Sequence, residues 1–183
     1  MFVQPIRQLG RVLANLDSDE ECLFSLDDLA GVMPELSRGA LKALVGRAVT
    51  NGLLKRVCHG VYCVPRAVPS GLVLFHAAAK LRADAFNYLS LESVLSDAGV
   101  ISQVPINWIT VMSSGRSQVV RCGDLGTIEF VHTKKLPADL AADLVYDVRC
   151  HLWRASVALA LRDMKATRRN LELIDWDVAN ELV

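Results

Sequence analysis

The chain has 183 residues, 20 basic and 20 acidic side chains, a formal net charge of zero and 52% apolar residues. That length suits one domain or two small ones, and the composition excludes a disordered polar chain and a protein that is basic throughout. No apolar stretch approaches the ~18 residues of a membrane span and no signal-peptide pattern opens the chain, while the five cysteines lack regular spacing. The expectation is a cytoplasmic protein with reduced thiols.

Charge is unevenly spread along the chain. Residues 1–35 carry seven acids and two bases, whereas residues 36–66 carry six bases (Arg38, Lys42, Arg47, Lys55, Arg56, Arg66) and no acid. The remainder has twelve bases and thirteen acids. A local excess of six positive charges suits phosphate, but a charge run is also the ordinary mark of a solvated face. The elements that carry it decide between the two.

Ile6, Leu9, Val12, Leu13 and Leu16 recur at helical spacing and stop at the polar residues 17–21. Ser25 is a suitable N-cap for a short helix with Asp27 and Asp28 in its first turn and Leu26, Leu29 and Ala30 turned inward. This helix ends near Gly31, before Pro34, and residues 31–36 form the turn. Ser37 caps a third helix that reaches Asn51, where Asn51-Gly52 provides a left-handed stop. Residues 53–58 and 61–64 are β-prone runs around His59-Gly60, a hairpin closed by Pro65. Three helices followed by a β-wing predict a winged helix-turn-helix over residues 1–66.

On a helical projection of the third helix, Ala40, Leu41, Leu44, Val45 and Ala48 share the inward face. The opposite face holds Gly39, Ala43, Gly46 and Thr50, edged by Arg38 and Lys42 on one side and Arg47 on the other. Each glycine inside a helix costs about 1 kcal/mol relative to alanine. Small residues edged by bases let a backbone approach a duplex closely. The motif places such a helix in the major groove.

The expected DNA-binding residues are Ser37, Arg38, Lys42, Arg47, Lys55, Arg56 and His59. Ser37 and Arg38 stand at the helix start, where N–H groups and the first side chains meet phosphate and base edges. Arg38 and Lys42 match guanine O6 and N7. Arg47, Lys55 and Arg56 suit phosphate, which positions a protein without reading sequence. His59 is a wing-tip contact or an idle surface imidazole.

Cys58, His59 and Cys63 raise a metal reading, but neighbouring strand residues point to opposite faces and no second cysteine pair follows at zinc spacing. Hairpin packing is the favoured reading, and no metal or cofactor is expected. His76 reads as a partly buried helix residue. The chain carries no glycine-rich phosphate loop, nucleophile elbow or paired-histidine metal motif, so a non-enzymatic protein is expected.

Residues 65–71 (PRAVPSG) punctuate the chain, with residues 67–71 as the linker. Residues 72–183 are expected to form an α+β domain with a small antiparallel sheet flanked by helices. Its expected elements are a helix over 72–83, a helix from about 89 with Ser90 as N-cap, and strands at 108–112, 118–122 and 127–132 in an antiparallel meander. Pro137 opens a helical stretch holding Leu140, Leu144, Val145 and Val148, residues 152–164 form an apolar helix, and Asp175 caps a last helix with Trp176, Val178 and Ala179. Glu92 is a capping or packing carboxylate or part of an antitoxic surface, with the structural reading favoured. Lys165, Arg168 and Arg169 either add phosphate contacts or form a solvated helix end, and the second reading is favoured.

Residues 88–93 (YLSLES), 108–113 (WITVMS) and 126–132 (GTIEFVH), with the hairpin at 52–65 (GLLKRVCHGVYCVP), resemble AbiEi-type antitoxins of type IV toxin–antitoxin (AbiE abortive-infection, phage-defence) systems. The likeness runs from about Leu26 to Met164. It implies a winged helix that represses its own operon at inverted promoter repeats, met by a dimer or by cooperating monomers. It also implies a C-terminal domain that counters a toxin with a nucleotidyltransferase fold, without requiring a stable complex. Two other readings stand beside it. One is a winged-helix regulator whose second domain senses a small ligand in a pocket of Phe75, Tyr88 and Trp108. The other is a nucleic-acid-processing enzyme, which would need a carboxylate cluster for Mg²⁺.

Overall fold

In the computed structural model, which describes residues 4–15, 23–65, 71–102 and 107–183, serine and aspartate side chains start helices where the sequence places them. Leu16, the acidic residues 17–21, Arg66 and residues 67–70 of the expected linker lie outside the described residues. The chain divides into two compact units, Met1–Val73 and Leu74–Val183.

The first unit begins with helix α1 (Pro5–Asn15), which buries Leu9 and Leu13. Strand β1 (Leu23–Ser25) follows and runs directly into α2 (Leu26–Val32). Ser25 and Asp28 form a reciprocal capping box: Ser25 Oγ accepts from Asp28 N at 3.0 Å, and Asp28 Oδ2 accepts from Ser25 N at 2.8 Å. Helix α3 (Arg38–Thr50) starts at Ser37, whose Oγ accepts from Ala40 N at 3.2 Å. It stops at Asn51, and Gly52 beyond it takes the left-handed φ of 72°.

Strands β2 (Lys55–Cys58) and β3 (Val61–Cys63) form the expected hairpin, and Gly60 in its turn has a φ of 83°. β1 pairs with the far side of β3, so the sheet has three antiparallel strands in the order β1-β3-β2 rather than two. Sequence reading missed β1 because three residues beside an acidic run carry too little periodicity. One core unites the unit: Leu9 and Leu13 of α1, Leu29 of α2, Leu41, Leu44, Val45 and Ala48 of α3, with Phe24, Met33 and Leu54.

Helix α4 (Val73–Leu81) belongs to the second unit from Leu74 on and is followed by β4 (Asn87–Leu89), α5 (Leu91–Asp97), β5 (Trp108–Ser113), β6 (Gln118–Arg121) and β7 (Thr127–His132). A single turn, α6 (Pro137–Leu140), precedes β8 (Leu144–Asp147), β9 (Leu152–Ala155), α7 (Val157–Ala166) and α8 (Trp176–Glu181). The six strands form one mixed sheet in the order β6-β7-β5-β4-β9-β8. Pairs β4–β5, β6–β7 and β8–β9 are antiparallel, while β5–β7 and β4–β9 are parallel. The fold class is therefore mixed α+β with two sheets.

Three expectations for this unit are corrected. The small antiparallel meander is part of a larger mixed sheet, because β7 inserts between β5 and β6 and runs parallel to β5. The helix expected from Pro137 lasts one turn before β-branched Val145 and aromatic Tyr146 enter β8. The helix expected over 152–164 starts only after Ser156, whose Oγ accepts from Leu159 N at 3.1 Å, so residues 152–155 are free to form β9.

Candidate nucleic-acid interface

Helix α3 holds its core face inward with Leu41, Leu44, Val45 and Ala48 and turns the rest of its surface to solvent. Arg38, Gly39, Lys42, Ala43, Gly46, Arg47 and Thr50 are all exposed. Ala40, expected on the core face, is exposed as well: it sits in the first turn, ahead of the first packing contact at Leu41. A Cβ added at Gly39 or Gly46 meets nothing within 4 Å. Among the described residues, packing therefore gives no reason for either glycine. Thr50 Oγ1 donates back to the Gly46 carbonyl at 3.1 Å, which folds its hydroxyl against the helix.

The charges on α3 do not sit equally well with its dipole. Arg47 lies in the last turn, where a cation is favoured, and Arg38 lies in the first turn, where it is not. Asp27 of α2 offsets the second term, with its Oδ1 at 3.0 Å from Arg38 Nη1. Ser37 spends its hydroxyl oxygen on the helix cap, so what it offers a ligand is its position beside the first N–H groups.

The hairpin keeps its bases outward by an irregularity in register. The pairing slips between Arg56 and Cys58, so Lys55 and Arg56 are both exposed while Val57 and Cys58 are both buried. At the tip, Arg56 Nε donates to the Cys58 carbonyl at 3.2 Å and its Nη2 lies 2.9 Å from His59 Nδ1. A guanidinium only donates, so Nδ1 accepts and the ring hydrogen resides on Nε2, pointing away from Arg56. Arg56 and His59 thus form one exposed unit.

Cys58 and Cys63 are buried in the hairpin and His59 is exposed beside them. Among the described residues, no group of three or more histidine, cysteine or acidic side chains is placed to hold a metal ion. No described helix is long and apolar enough to cross a membrane.

Two polar clusters organise the second unit. Asp163 on α7 is fully buried, and its carboxylate accepts from Tyr88 Oη at 3.0 Å, Ser90 Oγ at 2.7 Å and Lys135 Nζ at 2.7 Å. Burial, followed by the Asp163 charge and hydrogen bond, pushes the Tyr88 phenol far above its ordinary value. Ser90 occupies the N-cap position of α5 yet makes no side-chain cap, because its hydroxyl serves Asp163.

In the second cluster, Arg169 Nη2 lies 2.5 Å from Glu129 Oε1 and its Nη1 3.5 Å from Glu92 Oε1, while Trp108 Nε1 donates to Glu129 Oε2 at 3.2 Å. Burial works against the Arg169 charge, but Glu129 and Glu92 outweigh it and raise its pKa. Arg169 is thus largely enclosed and paired, contrary to the expected solvated helix end; Lys165 and Arg168 are exposed. Glu92 is mostly enclosed beside Arg169, in keeping with a structural carboxylate.

Of the three residues that the ligand-sensing alternative names, Tyr88 and Trp108 stand at separate positions along the sheet. Tyr88 pairs with Met112, four residues along β5 from Trp108, a separation of about 13 Å at strand spacing. The Tyr88 hydroxyl and the Trp108 N–H are both taken by internal partners. No protein-family model matches this chain, and no curated protein matches it either.

Proposed function

We propose that the first unit is a winged helix-turn-helix that binds duplex DNA, with α3 in the major groove and the β2–β3 hairpin as the wing. The observation that carries this reading is the outer face of α3: two glycines that no packing among the described residues requires, edged by exposed Arg38, Lys42 and Arg47. The hairpin adds exposed Lys55, Arg56 and His59. Arg38 and Lys42 read base edges, and Arg47, Lys55 and Arg56 hold phosphates. The protein is a transcriptional autorepressor that acts by binding, not catalysis. On the likeness of its strand and wing sequences to AbiEi-type antitoxins, it doubles as the antitoxin of a nucleotidyltransferase-fold toxin. It works in the cytoplasm.

A gel shift on the DNA upstream of its own gene tests the DNA-binding half. Arg38→Ala or Lys42→Ala weakens binding by about 1–3 kcal/mol each and flattens sequence preference; undiminished, equally selective binding by both variants overturns the assignment. Co-expression with the product of the adjacent gene tests the antitoxin half. Growth rescue supports it, and unrelieved toxicity contradicts it.

A further inference from the structure

Strand β8 is one edge of the six-stranded sheet, and among the described residues no strand pairs with its outer side. Its pairing with β9 is regular, and just ahead of it Ser156 N donates to the Asp143 carbonyl at 2.8 Å. Inward-facing groups alternate along an antiparallel ladder, so Val145 and Asp147 bond to β9 while the N–H and C=O of Leu144 and Tyr146 point outward. An open edge of this kind is a template for another strand.

The strand carries none of the features that blunt an edge. Leu144–Asp147 has no proline, lysine or bulge. Its one charge, Asp147, is turned onto the following turn, where Oδ1 accepts from Arg149 N at 2.9 Å and from Cys150 N at 3.4 Å. Val145, Tyr146 and Val148 are 73%, 46% and 70% exposed. Trp153, the partner of Tyr146 on β9, is 44% exposed, and the two rings stand edge to face with centroids 5.4 Å apart. The opposite edge of the sheet, β6, exposes Gln118 and Arg121 instead.

This edge complements itself. When a second β8 runs antiparallel with Tyr146 opposite its counterpart, the two Tyr146 main chains exchange N–H···O bonds and Leu144 lies across from Val148. On one face the register aligns Trp153, Tyr146, Tyr146 and Trp153 as a row of aromatic cross-strand neighbours. It also sets opposite charges together. Asp143 comes three residues before Tyr146 and Arg149 three residues after it, the latter with a side chain 76% exposed. Antiparallel self-pairing brings each acid to the other copy's base, and parallel pairing does not. In the pairs that these two now make, with Arg162 and Asp147, the guanidinium is more than half exposed, so neither is held tightly.

We propose that two copies of this chain associate through β8, joining their six-stranded sheets edge to edge about a two-fold axis at Tyr146. So short an edge makes a weak, reversible dimer, with a Kd of about 100 μM. The surface belongs to the second unit, whereas α3 and the β2–β3 hairpin belong to the first, so the inference stands apart from DNA binding.

Sedimentation equilibrium of the full chain from about 5 μM to about 1 mM, without DNA, tests the proposal. The average mass rises from one chain towards two. Tyr146→Lys, at a half-exposed position whose fold is checked by thermal denaturation, sets like charges opposite each other and weakens association at least about tenfold, as does Tyr146→Glu. An equimolar mixture of these two variants associates at least about tenfold more tightly than either alone, because residue 146 then faces its opposite charge. Arg149→Glu, in an exposed turn, weakens association several-fold, and Val119→Lys on β6 leaves it unchanged. A chain that stays single up to about 1 mM overturns the proposal, whether the edge takes a strand of another protein or none. So does a dimer indifferent to the Tyr146 variants and to Arg149→Glu, a mixture no tighter than its parts, or a dimer abolished by Val119→Lys. Gel shifts of the Arg38 variant are read separately, so failure here and failure of the DNA-binding reading are distinguishable.

Discussion

The guanidinium of Arg38 lies 3.0 Å from the carboxylate of Asp27, one helix earlier, and both side chains are more than two-thirds exposed (69% and 75%). An exposed pair of this kind is worth about 0–1 kcal/mol, so phosphate or a guanine edge can displace it. Asp27 therefore holds Arg38 in place while adding a negative charge at the edge of the proposed DNA face. Asp27→Asn is expected to tighten DNA binding several-fold in a gel shift and to change urea-denaturation stability by less than about 1 kcal/mol. Weaker binding would mean that the pair orients Arg38 for contact.

Gly39 and Gly46 separate a structural role from a functional one. Both face open space on a helix, so Gly39→Ala and Gly46→Ala should each stabilise the first unit by up to about 1 kcal/mol. The same methyl groups stand between the α3 backbone and a duplex. Higher stability in denaturant with weaker DNA binding is the expected pair of results. Equal or tighter binding would show that the backbone does not approach DNA there.

Lys135 faces a carboxylate that is itself wholly buried. Lys135→Met leaves Asp163 charged with only hydroxyl donors, and should destabilise the protein by about 3 kcal/mol in urea denaturation. Adding Asp163→Asn should recover part of this loss, because the uncompensated charge is gone. Strict additivity of the two changes would show that the groups are not coupled.

Asp147 gives the second unit an acid limit. Partial burial raises its pKa, but hydrogen bonds from the Arg149 backbone and side chain and from Cys150, with the Arg149 charge, bring it below the ordinary 3.8. A carboxyl depressed on folding contributes stability that is complete above its unfolded pKa and is lost as pH falls through the folded value. Melting temperatures measured from about pH 6 to about pH 2 should fall below about pH 4 more steeply in the parent than in Asp147→Asn. Parallel profiles would contradict this.

Legibility in the sequence followed the strength of local signals. Ser25, Ser37 and Asp175 cap helices as their positions imply, and Gly60 turns the hairpin with its left-handed φ. The exposure of all seven expected contact residues follows from the spacing of Leu41, Leu44, Val45 and Ala48 in α3 and from the hairpin pattern. What failed depended on long-range pairing. The runs at 144–147 and 152–155 lie inside stretches with helical apolar spacing, and their strands are fixed by pairing with each other and, for 152–155, with β4. Arg169 looked like one more base in a polar run, and Glu129, forty residues away, encloses it. Nothing local tied Asp27 to Arg38 either.

The most direct test of the central claim is the salt dependence of binding to the upstream duplex. If Arg47, Lys55 and Arg56 each neutralise a phosphate, the logarithm of the association constant falls against the logarithm of salt concentration with a slope of about −2.7. Replacing Arg47 and Lys55 together should bring that slope to about −0.9. Binding that is insensitive to salt, or a slope unchanged in the double variant, would contradict a DNA interface on α3 and the hairpin.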